Sequence, residues 1–329
     1  QQLGAEVIIS VRLENGTPEQ AANLVRHTNI DRGYGVKYWS VGNEPDLFEN
    51  YTTENLNQEW RLIAEAMLEV DPDIILIGPD ISQYPPVART DSLGLEWVSE
   101  FLKVNGDLVD VISVHRYPFP LDMTHPITPL DDLRENVHEW DDILNRLRDI
   151  SNEVLGYELP VAMTEANSHW SSNTEGEATP DSHFNAIWWA DVLGRLIYQE
   201  PFAVNYFDFQ SGTGRGGWGL LANYEVRPTY YTYQLYKQFG DNLHPVSVAG
   251  DDYISAYAST REDGALTVIL INRADDPQTI TLDLTGFGGE TGELIVLDRE
   301  NNAVSVGDVT FNAITLSGQS ANLLIVQPE

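Results

Sequence analysis

Over the first 240 residues, short β-branched runs alternate with amphipathic helical stretches. This alternation restricts the chain to a parallel sheet wrapped by helices. The predicted strands are Glu6–Val11, Val36–Val41, Ile74–Pro79, Val109–Val114, Leu159–Thr164 and Ala203–Phe209, recurring at the ~30–50-residue interval of βα units. Helix signals fall between them. Thr17-Pro18-Glu19-Gln20 offers an N-cap, a proline at the first helical position and a glutamine to close a capping box before Ala21–His27. Leu56, Trp60, Ile63, Met67 and Leu68 share one helical face that stops at Asp71-Pro72. Leu133, Val137, Trp140, Leu144 and Leu147 repeat the pattern, and Trp188 and Trp189 are expected in the core of a later helix. After Gly240 the period becomes two, with strands expected at Tyr253–Ser259, Ala265–Asn272, Thr279–Leu284, Glu293–Asp298, Val309–Leu316 and Asn322–Val326. The expected organisation is therefore a (β/α) domain over residues 1–240 and an antiparallel β-sandwich over 241–329. The sandwich carries no reacting constellation, so packing is its expected role, with carbohydrate binding as a minority one.

Composition narrows the function classes. The chain has 18 basic residues, only three of them lysine, against 51 acidic ones, a formal net charge of −33 spread over both halves. Such a surface repels nucleic acid, anionic membranes and highly sulfated polysaccharides; few lysines and many carboxylates also fit a saline habitat. There is no cysteine, which excludes disulfides, a thiol nucleophile and cysteine-ligated metal, and leaves the compartment open. No apolar run approaches the ~18–20 residues of a membrane span.

The candidate chemistry lies where strands end, the end at which a parallel barrel keeps its reacting groups. Tyr38-Trp39-Ser40-Val41-Gly42-Asn43-Glu44-Pro45 delivers Asn43 and Glu44 from a buried strand, and Val161-Ala162-Met163-Thr164-Glu165 delivers a second carboxylate three βα units later. Two facing carboxylates suit glycoside cleavage, one protonating the leaving oxygen while the other attacks the anomeric carbon, at about 5–5.5 Å when configuration is retained. Singly, each glutamate also fits a bland reading: Glu44 at a helix N-terminus, favoured by the dipole, and Glu165 salt-bridged in a loop. Val114-His115-Arg116-Tyr117-Pro118 adds polar groups at an intervening strand end, where Tyr117 can hydrogen-bond Glu165 and hold it ionised. His115 reads as a site residue rather than a metal ligand, because no second histidine or carboxylate lies at ligand spacing beside it in the sequence. No metal is expected.

Gly42-Asn43-Glu44-Pro45, Thr164-Glu165 three strands later and His115-x-Tyr117 between them resemble the clan A glycoside hydrolases, eight-stranded (β/α)8 TIM barrels that cleave with net retention. The resemblance spans residues 1–240, and the appended sandwich is similar to that of the β-xylosidase/α-L-iduronidase, α-L-arabinofuranosidase and β-glucuronidase/heparanase branches. It implies Glu44 as acid/base, Glu165 as nucleophile and Asn43 as the ligand of a sugar 2-hydroxyl, with no cofactor. The implied partner is an oligo- or polysaccharide; β-xylosides, β-glucosides and α-L-arabinofuranosides are the candidates, with uronic acids left to a local Arg116 or Arg215.

Two departures accompany the resemblance. If Val36–Val41 is strand four, the sequence holds six of the eight βα repeats, and the first two are missing at its N-terminus. The chain then reads as a fragment, a processed form or a trimmed barrel, and its open edges at Glu6–Val11 and Ala203–Phe209 invite a homo-oligomer or a separate N-terminal chain. A catalytically weak sugar-binding or scaffold protein is the alternative. Strand eight reads Tyr206-Phe207-Asp208-Phe209-Gln210 where many clan members place a tryptophan platform. Trp170 and Trp218, each in a loop after a strand end, are the candidate substitutes for stacking on a sugar. Asp80, Asp208 and Gln210 also end strands, where each can simply cap a turn.

Overall fold

A computed structural model describes residues 4–84, 89–122, 124–172, 175–212, 216–250 and 252–328. The chain forms two compact units, each built from discontinuous segments: residues 1–117, 142–166 and 199–206 in the first, and 118–141, 167–198 and 207–329 in the second.

Among its described residues the first unit contains six strands, β1 (Ile8–Val11), β2 (Tyr38–Val41), β3 (Ile75–Ile81), β4 (Val111–Arg116), β5 (Val161–Ala166) and β6 (Ala203–Tyr206). They form one sheet in sequential order, parallel throughout. Each strand coincides within three residues at either end with one expected from the sequence. Ile77, Val111 and Ala162 are buried together with Ile8, Tyr38, Ile75 and Ala203 packed on them, the filling expected for the concave side of a curved parallel sheet. The sheet is a half-barrel: among the described residues β1 and β6 pair on one side only.

Helix α1 (Pro18–Val25) begins with both reciprocal bonds of the capping box between Thr17 and Gln20. Helix α2 (Thr53–Leu68) buries Leu56, Trp60, Ile63 and Met67, and Trp60 meets Phe101 of α3 (Trp97–Asn105) edge to face at 4.9 Å. The periodic stretch from Leu133 to Leu147 is not one helix. It divides into α4 (Leu130–Glu135), a 3-10 turn at Asn136–Trp140, and α5 (Ile143–Leu155). At the break the Asn136 side-chain oxygen accepts from the indole nitrogens of both Trp140 and Trp188, at 3.1 and 3.0 Å.

In the second unit, β10 (Asn242–His244), β11 (Ile254–Thr260), β12 (Leu266–Asn272), β14 (Thr291–Leu297), β15 (Asn302–Thr310) and β17 (Ser320–Val326) form an antiparallel sheet in the order β10-β11-β12-β17-β14-β15. One face packs on Ala186, Ile187 and Ala190 of α6 (His183–Ile197) and on Leu235 of α7 (Pro228–Tyr236). The other covers a second cluster with Ile314 and Leu316 of β16 (Ile314–Leu316) and Ile280 of β13 (Gln278–Ile280). Helix α6 lies so close to β11 that a Cβ on Gly194 would fall 2.3 Å from the Tyr257 ring. Trp188 and Trp189 are fully buried. Strand β15 corrects the expected single strand Val309–Leu316. It is a nine-residue edge strand with no fully buried residue, and its alternating Val304 and Val306 face solvent. A small sheet of β7 (Gln210–Ser211), β8 (Leu221–Ala222) and β9 (Glu225–Val226) completes this unit.

His169 of the second unit is fully buried and hydrogen-bonded through Nδ1 to Ser168 Oγ at 2.8 Å and through Nε2 to Thr128 Oγ1 at 2.9 Å. Burial holds its pKa down at about 4. Between the ~6.5 of an unfolded histidine and that value, only the unfolded chain takes up the proton, so this residue withdraws up to about 3 kcal/mol of stability as pH falls through the window. A His169→Gln variant should unfold thermally with a shallower loss of Tm between pH 7 and 4. An acid slope equal to that of the parent would refute the assignment.

Candidate active site

Four strand ends of the first unit build the site. Gly42, at φ +90°, turns the chain out of β2; a Cβ there would meet the Leu13 side chain at 2.8 Å. Gly42 is also tied to β1, its amide donating to the Val11 carbonyl at 2.9 Å and its carbonyl accepting from Ser10 Oγ at 2.8 Å. This turn leaves Asn43 exposed and places Glu44 in the left-handed region at φ 49°, a conformation that non-glycine residues adopt rarely and mostly at functional positions. Two residues on, the Asp46 carboxylate accepts from the Ser82 amide and hydroxyl at 2.8 and 2.7 Å and pairs with Arg89 at 2.8 Å, which ties this loop to the end of β3.

Strand β4 supplies His115, whose side chain is 1% exposed, with Nδ1 at 3.0 Å from Glu44 Oε1 and 3.6 Å from Glu165 Oε2. The Tyr117 hydroxyl, two residues later, donates to Glu165 Oε2 at 2.5 Å. Glu44 and Glu165 keep 23% and 24% of their side-chain surface, so both carboxyl groups are reachable by a solute while the imidazole between them is not. Ligating atoms of Glu44, His115 and Glu165 all lie within 4.8 Å of one another. Sequence spacing could not show that two carboxylates meet His115, because they come from the ends of β2 and β5. Their proximity would suit a bridging cation, but Glu44 Oε1 already faces His115 Nδ1 and Glu165 Oε2 already accepts from Tyr117. These direct bonds account for the cluster.

Burial alone would lower the His115 pKa, but the bond to Glu44 and the charges of Asp80, Glu165 and Glu44 outweigh it and raise the value. For Glu165, burial dominates and raises the pKa, opposed by the His115 charge and the Tyr117 bond. An activity that needs Glu165 ionised would therefore have its acid limb above the ordinary glutamate range.

Of the residues singled out in the sequence, Glu44, His115, Tyr117 and Glu165 come together, with Asn43 exposed beside Glu44. Arg116 donates to Gln83 Oε1 at 3.3 Å, and Arg215 lies outside the described residues. Trp170 and Trp218 belong to the second unit. Trp170 is 38% exposed and donates its indole N–H to the Pro120 carbonyl at 2.6 Å. Trp218 donates to the His169 carbonyl at 2.7 Å and packs edge to face on Phe207. Sequence reasoning left Asp46 and Gln83 unassigned and gave Asp80 only a capping role. The signal that was available, polar residues directly after a strand, also marks ordinary turns.

No protein-family model matches the chain. CelM2, a bifunctional glucanase-xylanase protein from a metagenome library, superimposes with a TM-score of 0.72 at 21% identity, over 95% of this chain and 68% of that one. This chain shares the fold of that glucanase-xylanase. Among curated proteins, this chain is similar to the baicalin-β-D-glucuronidase of Scutellaria baicalensis, 24% identical over 293 residues, covering 84% of this chain. It is also 28% identical over 136 residues to the intracellular exo-α-(1→5)-L-arabinofuranosidase of Streptomyces lividans, covering 36% of this chain and 20% of that one. The chain matches 52% of the length of the glucuronidase. These relatives agree with the clan A resemblance carried by Gly42-Asn43-Glu44-Pro45 and Thr164-Glu165.

Proposed function

We propose that this chain is a retaining O-glycoside hydrolase that cleaves a neutral oligo- or polysaccharide by double displacement. The observation that carries the reading is the approach of Glu44 and Glu165 to within 4.8 Å around one buried histidine. Carboxylate oxygens that close fit the spacing of about 5–5.5 Å used by retaining enzymes better than the roughly 6.5–9.5 Å that admits the water of an inverting one. Glu165, held by the Tyr117 hydroxyl, attacks the anomeric carbon, and Glu44 gives a proton to the departing glycosidic oxygen. Once the glycosyl ester exists, Glu165 has lost its charge, and Glu44 takes a proton from the water that opens the ester. Asn43 binds the sugar 2-hydroxyl, and Trp170 and Trp218 offer faces for stacking. Of the other expected binding residues, Tyr117 holds Glu165, and His115, closed to solute, bears on the sugar through the two glutamates that flank it.

Residues 1–240 are proposed as the catalytic barrel, holding six of eight repeats, and 241–329 as its sandwich. The net charge of −33 favours a neutral glycan, and the relatives named above act, by their names, on glucan, xylan, arabinofuranoside or glucuronide. β-Xylosides, β-glucosides and α-L-arabinofuranosides are therefore the first substrates to try. A panel of these aryl glycosides, with β-galactoside and β-glucuronide, should show turnover by the parent chain of one or more members, absent from a Glu165→Ala control. Binding of oligosaccharide by calorimetry with no turnover above that control would replace the enzyme by a sugar-binding protein.

A further inference from the structure

We propose that Asp80 is a positioning residue of this site, fixing Glu44 relative to Glu165 and holding a proton on His115; the proposal rests on the hydrolase reading above. Asp80 follows Pro79 in β3, is 4% exposed, and has φ +55°. It reaches three other strands at once. Its carbonyl accepts the Glu44 amide at 3.0 Å, the bond that stabilises the left-handed turn presenting the Glu44 carboxyl. Its amide donates to Ser113 Oγ of β4 at 3.1 Å. Its carboxylate Oδ1 accepts from Thr164 Oγ1 of β5, the residue before Glu165, at 2.6 Å. The same oxygen lies 3.8 Å from His115 Nε2.

The neighbouring residues extend the clamp. Ser82 binds Asp46, Gln83 Oε1 accepts the Tyr117 amide at 3.2 Å, and the Tyr84 amide donates to the His115 carbonyl at 3.0 Å. The segment 80–84 thus contacts the loop or strand carrying each member of the site, and Asp80 alone in it brings a negative charge.

That charge has a defined place. His115 is faced by Glu44 from the end of β2, by Asp80 from β3 and by Glu165 from β5, with the Tyr117 hydroxyl occupied by Glu165. With Nδ1–H directed at Glu44, the second ring nitrogen faces Asp80. A carboxylate there favours the doubly protonated imidazole, whose positive charge separates the two reacting carboxyl groups. An uncharged amide of the same shape preserves the Thr164 bond and both backbone bonds but not this preference.

The test compares Asp80→Asn and Thr164→Val with the parent chain by aryl-glycoside kinetics and by 15N NMR of the histidine side chains, with His115 assigned through His115→Gln. For Asp80→Asn, kcat should fall roughly 10–100-fold with KM within about twofold. The His115 ring should lose its proton about one pH unit lower, the basic limb of the kcat profile moving with it. Thr164→Val should lower kcat while leaving the His115 titration in place. An unchanged kcat or an unchanged His115 titration in Asp80→Asn overturns the proposal. If that variant does not fold, an unchanged kcat in Thr164→Val overturns it instead. A parent chain inactive on every glycoside defeats the hydrolase reading, while the NMR titration still decides whether Asp80 holds the His115 proton.

Discussion

Glu165→Ala should lower turnover of an activated aryl glycoside by roughly 10⁴-fold, with azide restoring part of it. Truncation removes the attacking carboxylate and opens a space beside the anomeric carbon. Azide in that space forms the carbon–nitrogen bond from the same face while the aryloxide departs, giving a glycosyl azide of inverted configuration. Glu44→Ala should behave differently. With a good leaving group the glycosyl ester on Glu165 still forms, but the water that opens it has no base. Azide needs none, so it should accelerate release and give the azide of retained configuration. Proton NMR of the two products reads the anomeric configuration directly. The role assignment fails if both variants give the same anomer, or if Glu165→Ala keeps more than about 1% of parental turnover.

The largest expected effect on stability lies far from this chemistry in the sequence. Asp191 of α6 has no exposed side-chain surface and pairs with two arginines, Arg273 at 2.7 Å and Arg195 at 3.1 Å. Ser255 donates to it at 2.8 Å, and the Tyr257 hydroxyl donates to its other oxygen. Arg273 is itself fully buried, its remaining nitrogens donating to the carbonyls of Arg134 and Asp252. Taking away the carboxylate leaves a buried guanidinium without its counter-charge, a change that costs about 3–5 kcal/mol. Asp191→Ala should therefore lower Tm by on the order of 10 °C, measured by calorimetry. Replacing Asp191 and Arg273 together by leucine and methionine should recover much of the loss, because the fully buried guanidinium is then gone as well and Arg195 keeps its second partner, Asp141. A single-variant loss below about 1 kcal/mol would mean that water reaches the arginine.

Much of the parallel sheet was legible because strands covered on both faces concentrate aliphatic and β-branched residues, as in Ile75-Leu76-Ile77 and Val111-Ile112-Ser113-Val114. Strand β15 was not, since an edge strand with Val304 and Val306 in solvent has neither a buried run nor an inward stripe. The helix expected through Leu133–Leu147 failed for another reason: the apolar spacing persists across the 3-10 turn at Asn136–Trp140, so periodicity does not reveal it. In the candidate site, Glu44 and Glu165 were legible from the strand ends that present them. Asp80 was not, because its significance lies in bonds to residues 36 and 84 positions away.

Those long sequence separations bear on how the molecule comes to work at all. The contact of Glu44 with His115 spans 71 positions, that of Tyr117 with Glu165 spans 48, and that of Asp80 with Thr164 spans 84. No single hairpin, helix or βα repeat contains a pair of them. Closing loops of this length precedes any reward from the contacts they bring together. The proposed reacting centre is therefore expected to form late in folding, so that the proposed activity would report the assembly of the central strands in register, whereas helix content should return without it.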